Sequence, residues 1–184
     1  MSKDISQVLY SAEELAQRVE ALGKEISEYY KKEHINSLLV VSVLRGSVIF
    51  FSDLIRHIDD LDLEFDFITI SSYGSSAETC GKADILNDVA EKVAGRHVLI
   101  VEDIIDTGIT MAAVVERFLA KGVKSLKLCT LLDKPVRRKV QNLKIDFCGF
   151  EVPDQFIVGY GLDYAGRYRQ LPYIGVLEPS VYKK

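Results

Sequence analysis

Val98-Leu99-Ile100-Val101-Glu102-Asp103-Ile104-Ile105-Asp106-Thr107-Gly108-Ile109-Thr110 is the stretch whose reading decides the fold. Its four leading apolar residues read as a strand buried on both faces, as in a parallel sheet. Two carboxylates stand where that strand is expected to end, and a third, Asp106, follows after two more β-branched residues. Asp106 to Thr110 then leads into Met111–Leu119, which reads as a helix. Strand end, acidic pair, small polar turn and helix start together mark where open α/β sheets bind their ligands. The first amides of that helix, with the hydroxyls of Thr107 and Thr110, suit a phosphate. Glu102 and Asp103 are acceptors suited to sugar hydroxyls or a hydrated Mg²⁺.

Outward from this centre, strand-like and helical segments alternate. Ser11-Ala12-Glu13-Glu14 is a capping box, and Leu15, Val19, Leu22 and Ile26 recur at helical spacing behind it. Residues 12 to about 32 therefore read as an amphipathic helix. A strand is expected at 37–43, a second helix from Ser47 to Ile58, and a strand over 63–70. Residues 73–83 are small and polar without a core pattern, and read as a mobile loop. Strands follow near 84–88 and 97–102, then the helix after Thr110, then strands near 124–132 and 145–149. Alternation of this kind implies right-handed crossovers and a largely parallel sheet flanked by helices. The tail, with Pro153, Pro172 and Pro179, reads as irregular.

A chain of 184 residues with 48% apolar content is expected to form one domain with a substantial core. It has no apolar run long enough to span a membrane, and no signal-peptide h-region follows Met1–Ser6. Cys80, Cys129 and Cys148 are odd in number and show no metal spacing, which reads as reduced thiols in the cytoplasm. His34, His57 and His97 are scattered and read as structural or surface residues. A net charge of −4 argues against a broad nucleic-acid surface. The basic run Lys134–Lys139 still suits a small phosphorylated ligand. There is no Walker A loop, and no Gly-x-Gly-x-x-Gly follows a strand.

The central string resembles the phosphoribosyl pyrophosphate (PRPP) motif of the type I phosphoribosyltransferases. Other pieces extend the likeness. These are Leu38–Gly46, ending in Leu-Arg-Gly, then Ser71-Ser72-Tyr73-Gly74, then Leu131-Leu132-Asp133-Lys134. The last is Val152–Tyr164, with Phe-Ile-Val-Gly-Tyr-Gly-Leu-Asp-Tyr at its heart, followed by Arg167-Tyr168-Arg169. In this order they are similar to the hypoxanthine (hypoxanthine-guanine) branch of that family. The resemblance implies the type I phosphoribosyltransferase fold, an α/β domain with a mostly parallel central sheet. It places the core at about 35–150 and a small hood at about 1–12 and 151–184. It also implies a homodimer or homotetramer.

The activity so implied is purine salvage, with transfer of ribose 5-phosphate from PRPP to a 6-oxopurine such as hypoxanthine or guanine. Pyrophosphate leaves as IMP or GMP forms. Carried onto this chain, the family's roles put the 5-phosphate and ribose on Glu102, Asp103, Asp106, Thr107, Gly108, Ile109 and Thr110. Some relatives have a lysine where this chain has Ile109, so backbone amides are expected to carry more of the phosphate binding. Pyrophosphate falls to Arg45, Gly46 and Arg169, whose guanidinium forks match phosphate oxygens. The Leu44-Arg45 bond corresponds to one that is often cis in relatives. Lys134, Phe156, Ile157 and Asp163 would form the purine site, with Lys134 reading the 6-oxo group and Phe156 stacking on the ring. Asp106 would be the general base beside the purine. Glu102, Asp103 and Asp163 would serve Mg²⁺, and Ser72-Tyr73 would lie in the loop that closes over the reaction. The alternative is a regulator of the same fold that senses PRPP and binds nucleic acid. Retention of Asp106, Lys134, Phe156, Asp163 and Arg169 together favours the enzyme.

Overall fold

Val98–Val101 lies in the interior of a six-stranded sheet. The computed structural model describes residues 3–71, 84–89 and 92–183. In chain order its first elements are β1 (Ile5–Tyr10), α1 (Ala12–Lys32), β2 (Ser37–Leu44), α2 (Val48–Leu54) and β3 (Asp62–Ser71). Then come β4 (Asp84–Asn87), β5 (His97–Ile105), α3 (Ile109–Ala120), β6 (Ser125–Asp133) and β7 (Phe147–Glu151). The last are β8 (Ile157–Val158), β9 (Ile174–Leu177) and α4 (Pro179–Tyr182). The main sheet runs β4-β3-β2-β5-β6-β7. Its strands are parallel except for β4, which pairs antiparallel with β3 at one edge. This is the expected mostly parallel α/β architecture.

The apolar run is buried on both faces because successive side chains of a strand point to opposite sides. Val98 and Ile100 join Met111, Val114 and Phe118 of α3 in one cluster. Leu99 and Val101 join Leu15, Val19, Leu22 and Ile26 of α1 in the other. Strand β2 divides in the same way, with Leu38 and Val40 on the α1 side and Leu39, Val41 and Val43 on the α3 side.

Helix α1 starts where the capping box put it. Ser11 N–H donates to Glu14 Oε2 at 2.8 Å, and Glu14 N–H donates to Ser11 Oγ at 3.2 Å. Removing the serine hydroxyl leaves a helix amide without its acceptor, at a cost of about 1 kcal/mol. Ser11→Ala is therefore expected to lower the melting temperature by roughly 2–4 °C in a domain of this size. Thermal unfolding checks this, and catalytic constants are expected to stay at wild-type values.

Three expectations are corrected. Strand β5 does not stop at the acidic pair but runs on to Ile105. Strand β6 stays alongside it, pairing Glu102 with Thr130, Ile104 with Leu132 and Ile105 with Asp133. Lys134 N–H then donates to Ile105 C=O at 3.0 Å. Glu102 and Asp103 thus stand within the strand rather than at its end. The second helix is α-helical only over Val48–Leu54 and tightens into a 3₁₀ turn at Ile55–His57. The tail is irregular over much of its length but not throughout. Strand β9 pairs antiparallel with both β1 and β8, giving a three-stranded sheet built from the two ends of the described chain. That hood is continuous with the main core, because Ile157, Ile174 and Val176 pack in the same cluster as α1.

No helix of the described residues is long and apolar enough to cross a membrane. Cys129 and Cys148 are free thiols. Cys80 lies outside the described residues.

Candidate active site

The turn after β5 is shaped by Gly108. Its φ of 80° is left-handed, a region where glycine carries no Cβ penalty. The chain reverses there and α3 begins at Ile109. The first helical donor bonded across this turn is Ala112, whose N–H reaches Gly108 C=O at 2.9 Å. Amides ahead of it have no acceptor within the helix, as at any helix start. The Thr107 hydroxyl leans toward Ile109 N–H at 3.4 Å. Glu102, Asp106, Thr107, Gly108 and Thr110 line one small cleft of about 120 Å³. Ile109 sits at the helix start with its side chain exposed.

The segment after β6 holds this turn from outside. Lys139 and Val140 N–H both donate to Thr107 C=O, at 2.9 and 3.3 Å. Arg138 pairs with Asp133 and donates from Nε to Asp106 C=O at 3.2 Å. The basic run Lys134–Lys139 is thus largely engaged with the chain's own acceptors.

A second, larger cavity of about 520 Å³ opens on the other side of Asp106. Asp103, Asp106, Lys134, Phe156, Ile157 and Asp163 all line it, so β5, β6 and the hood contribute jointly. Lys134 is almost fully buried, with 6% of its side chain exposed, and donates from Nζ to Gln155 C=O at 2.9 Å. Asp154 Oδ1 lies 3.9 Å from the same Nζ as an ion-pair partner, and an ammonium with three donors keeps capacity for a ligand acceptor. Phe156 is partly exposed and stacks on Tyr182 at 4.8 Å between ring centroids, with Tyr164 edge-on at 5.4 Å. Asp106 lines both spaces. Its Oδ2 meets Arg137 Nη1 at 3.2 Å, while its Oδ1 is buried and has no hydrogen-bond partner.

Gly46, next to Arg45 in the chain, and Arg169 are brought together through Gly161. The Leu44-Arg45 peptide is cis. Gly46 lies so close to Asp103 that a Cβ there would run into the carboxylate, and a Cβ at Gly161 would meet the Gly46 carbonyl. Arg169 donates to that same Gly161 C=O at 2.6 Å and pairs with Asp163 Oδ1 at 2.7 Å. Arg45 is exposed, with no ion pair among the described residues. Ser72 and Tyr73, with the loop 73–83, lie outside the described residues.

The acidic residues do not form a protein cage for a metal. Among the described residues, no three acidic, histidine or cysteine side chains converge on a point that an ion would fill. Asp163 is tied to Arg169 and to Gly166 N–H at 2.7 Å instead. Glu102 and Asp103 are neighbours, and Asp103 N–H donates to Glu102 Oε1 at 3.0 Å. Burial pushes the Glu102 carboxyl well above the usual carboxylate range, and the adjacent Asp103 carboxylate pushes it the same way.

Sequence reasoning misses Arg137, Leu162 and Tyr182, all on the cavity wall. Leu162 stands inside the segment that carries the family likeness, and Arg137 inside the basic run. Tyr182 has no local signal, because its place depends on the β9 pairing that brings α4 against Phe156.

Comparison with known proteins agrees with this geometry. A family model described as "Phosphoribosyl transferase domain" matches residues 7–165. The chain is 51% identical to a hypoxanthine-guanine phosphoribosyltransferase of Bacillus subtilis, over 100% of this chain and 99% of that protein. It is 47% identical to a hypoxanthine phosphoribosyltransferase of Escherichia coli, over 94% and 96% of the two chains. A crystal structure of a hypoxanthine phosphoribosyltransferase from Staphylococcus aureus superposes with a TM-score of 0.93 at 40% identity, covering 100% of this chain and 97% of that one. The cleft at a helix start, the lysine-bearing cavity beside it and these likenesses agree: the chain belongs to the type I phosphoribosyltransferases, in their hypoxanthine-guanine branch.

Proposed function

We propose that the protein is a purine salvage enzyme. It moves the 5-phosphoribosyl group of PRPP onto a ring nitrogen of hypoxanthine or guanine, giving IMP or GMP and pyrophosphate. The observation that carries this reading is the position of Asp106. It forms the wall between a phosphate-sized cleft at a helix start and a cavity with a buried ammonium, and one of its oxygens is buried without a partner.

In this reading the 5-phosphate sits on the helix-start amides and hydroxyls of Thr107–Thr110. The purine lies along Phe156, with its 6-oxo group on Lys134. As the bond from the ribose C1 to pyrophosphate breaks, the sugar takes on oxocarbenium character, as in glycosyl transfer generally. The unpaired Asp106 Oδ1 is then placed to accept or share the purine's ring proton. Proximity of its charge also steadies the cationic sugar. Arg45 and Arg169 receive the departing pyrophosphate. Asp103 and Asp163, on one cavity, supply hard oxygen donors, with Glu102 beside Asp103 on the strand. That set fits a hydrated Mg²⁺, which takes one or two carboxylates and completes its shell with water and substrate phosphates. When bound, it would offset the charge of the leaving group.

The free thiols Cys129 and Cys148 support a reducing, cytoplasmic setting. The regulator reading has no observation in its favour. The test is a parallel assay of PRPP and Mg²⁺ with hypoxanthine, guanine, xanthine and adenine. Nucleotide and pyrophosphate are expected from hypoxanthine and guanine, and almost none from adenine. No turnover with any 6-oxopurine would overturn the proposal.

A further inference from the structure

We propose that Arg137 is the positioning residue for Asp106, fixing the direction in which that carboxylate presents its reactive oxygen. The inference rests on the reading of Asp106 as the group that handles the purine proton.

Two consecutive arginines hold the two ends of one aspartate. Arg138 grips the main chain, with Nε on Asp106 C=O at 3.2 Å. Arg137 grips the side chain, with Nη1 on Asp106 Oδ2 at 3.2 Å. The other oxygen, Oδ1, is buried and unpartnered. A carboxylate held at one oxygen cannot turn freely about χ2, so the direction of the other is set as well. Neither grip depends on a mobile backbone. Arg137 closes a 3₁₀ turn that starts at Pro135, with its own N–H on Lys134 C=O at 3.1 Å and Arg138 N–H on Pro135 C=O at 3.0 Å.

The same turn therefore carries Lys134, assigned to the purine's 6-oxo group, and the side chain that aims Asp106. Base recognition and proton handling are mounted on one rigid piece. Arg137 Nε also leans on Asp154 Oδ1 of the hood-side segment at 3.8 Å, so its guanidinium spans the cavity from β5 to the hood. Of the two partners Asp106 is the closer, at 3.2 Å against 3.8 Å, and the less exposed.

The test is a double-mutant cycle measured by steady-state formation of labelled nucleotide. Arg137→Gln is expected to lower kcat about tenfold, within the range for residues sharing an ion-pair network. KM for PRPP should stay at the wild-type value, because the phosphate loop is held by Arg138, Lys139 and Val140. Arg137→Lys should restore most of the rate. In an Asp106→Asn background, Arg137→Gln should cost nothing further, since there is no carboxylate left to aim. A full additional loss in that background would overturn the inference, as would a wild-type kcat in Arg137→Gln. A rise in rate would overturn it too, by showing that Arg137 obstructs Asp106. The wild-type control separates the two levels. Absence of PRPP-dependent nucleotide formation in the parent enzyme sinks the reading of the site itself, whereas an active parent with an indifferent Arg137 sinks only the positioning role.

Discussion

Asp106→Asn is expected to fold, to bind PRPP and to lose turnover by about 10²–10⁴-fold, the contribution of a general acid–base group. The amide keeps the shape of the carboxylate, and the main chain at this position is held by Arg138 independently of the side chain. PRPP affinity should survive because the amides and hydroxyls proposed to hold its 5-phosphate belong to Thr107–Thr110 and the start of α3 rather than to the Asp106 side chain. The loss should therefore appear in kcat, with KM for PRPP little changed. Steady-state kinetics beside a direct binding measurement checks this. Near-normal kcat would remove Asp106 from its role and leave its buried oxygen without a chemical reason.

The second large effect falls on the purine. Lys134→Ala is expected to raise KM for hypoxanthine and guanine by about 10–150-fold, the equivalent of roughly 1.5–3 kcal/mol for a lost hydrogen bond to a charged donor. KM for PRPP should change far less, because no phosphate-cleft residue depends on the ammonium. The structure adds a reason for the upper part of that range. Lys134 Nζ also satisfies Gln155 C=O, so its removal leaves a carbonyl unpaired next to the purine as well as an oxo group. An unchanged KM for the 6-oxo bases would place base recognition elsewhere.

How much of this is legible in the sequence depends on how local each feature is. The strand at Val98–Val101 is legible because four apolar residues in a row have only one kind of place in such a fold. Its extension to Ile105 is not, because β6 hydrogen bonds carry it and Glu102-Asp103 has no strand signal of its own. Helix α1 announces itself through Ser11 and Glu14, whose side chains reach each other's amides within one turn. The hood strands do not, since two residues at Ile157–Val158 and four at Ile174–Leu177 mean nothing until β9 lies between β1 and β8.

The site divides in the same way. Glu102 to Thr110 is contiguous, and its chemistry can be read from one window. Lys134 and Phe156 are legible only through the family likeness, because a lysine after a strand and an aromatic in a tail are ordinary on their own. The contact of Arg137 with Asp106 joins two loops at neighbouring strand ends, and the stacking of Tyr182 on Phe156 joins two parts of the tail. Neither has a signature in spacing or composition. The same limit explains the reading of Lys134–Lys139 as a basic patch. Charge counts do not reveal that Arg138 is paired with Asp133 and with the turn it supports.

In the proposed site Asp106 stands between the 5-phosphate and the purine. A crystal structure with bound IMP tests it most directly. The 5-phosphate is predicted on the amides and hydroxyls of Thr107–Thr110, the 6-oxo group within hydrogen-bond reach of Lys134 Nζ, and the purine imidazole edge beside Asp106 Oδ1. A nucleotide bound with its phosphate away from the start of α3, or with its base outside the cavity of Lys134 and Phe156, would contradict it.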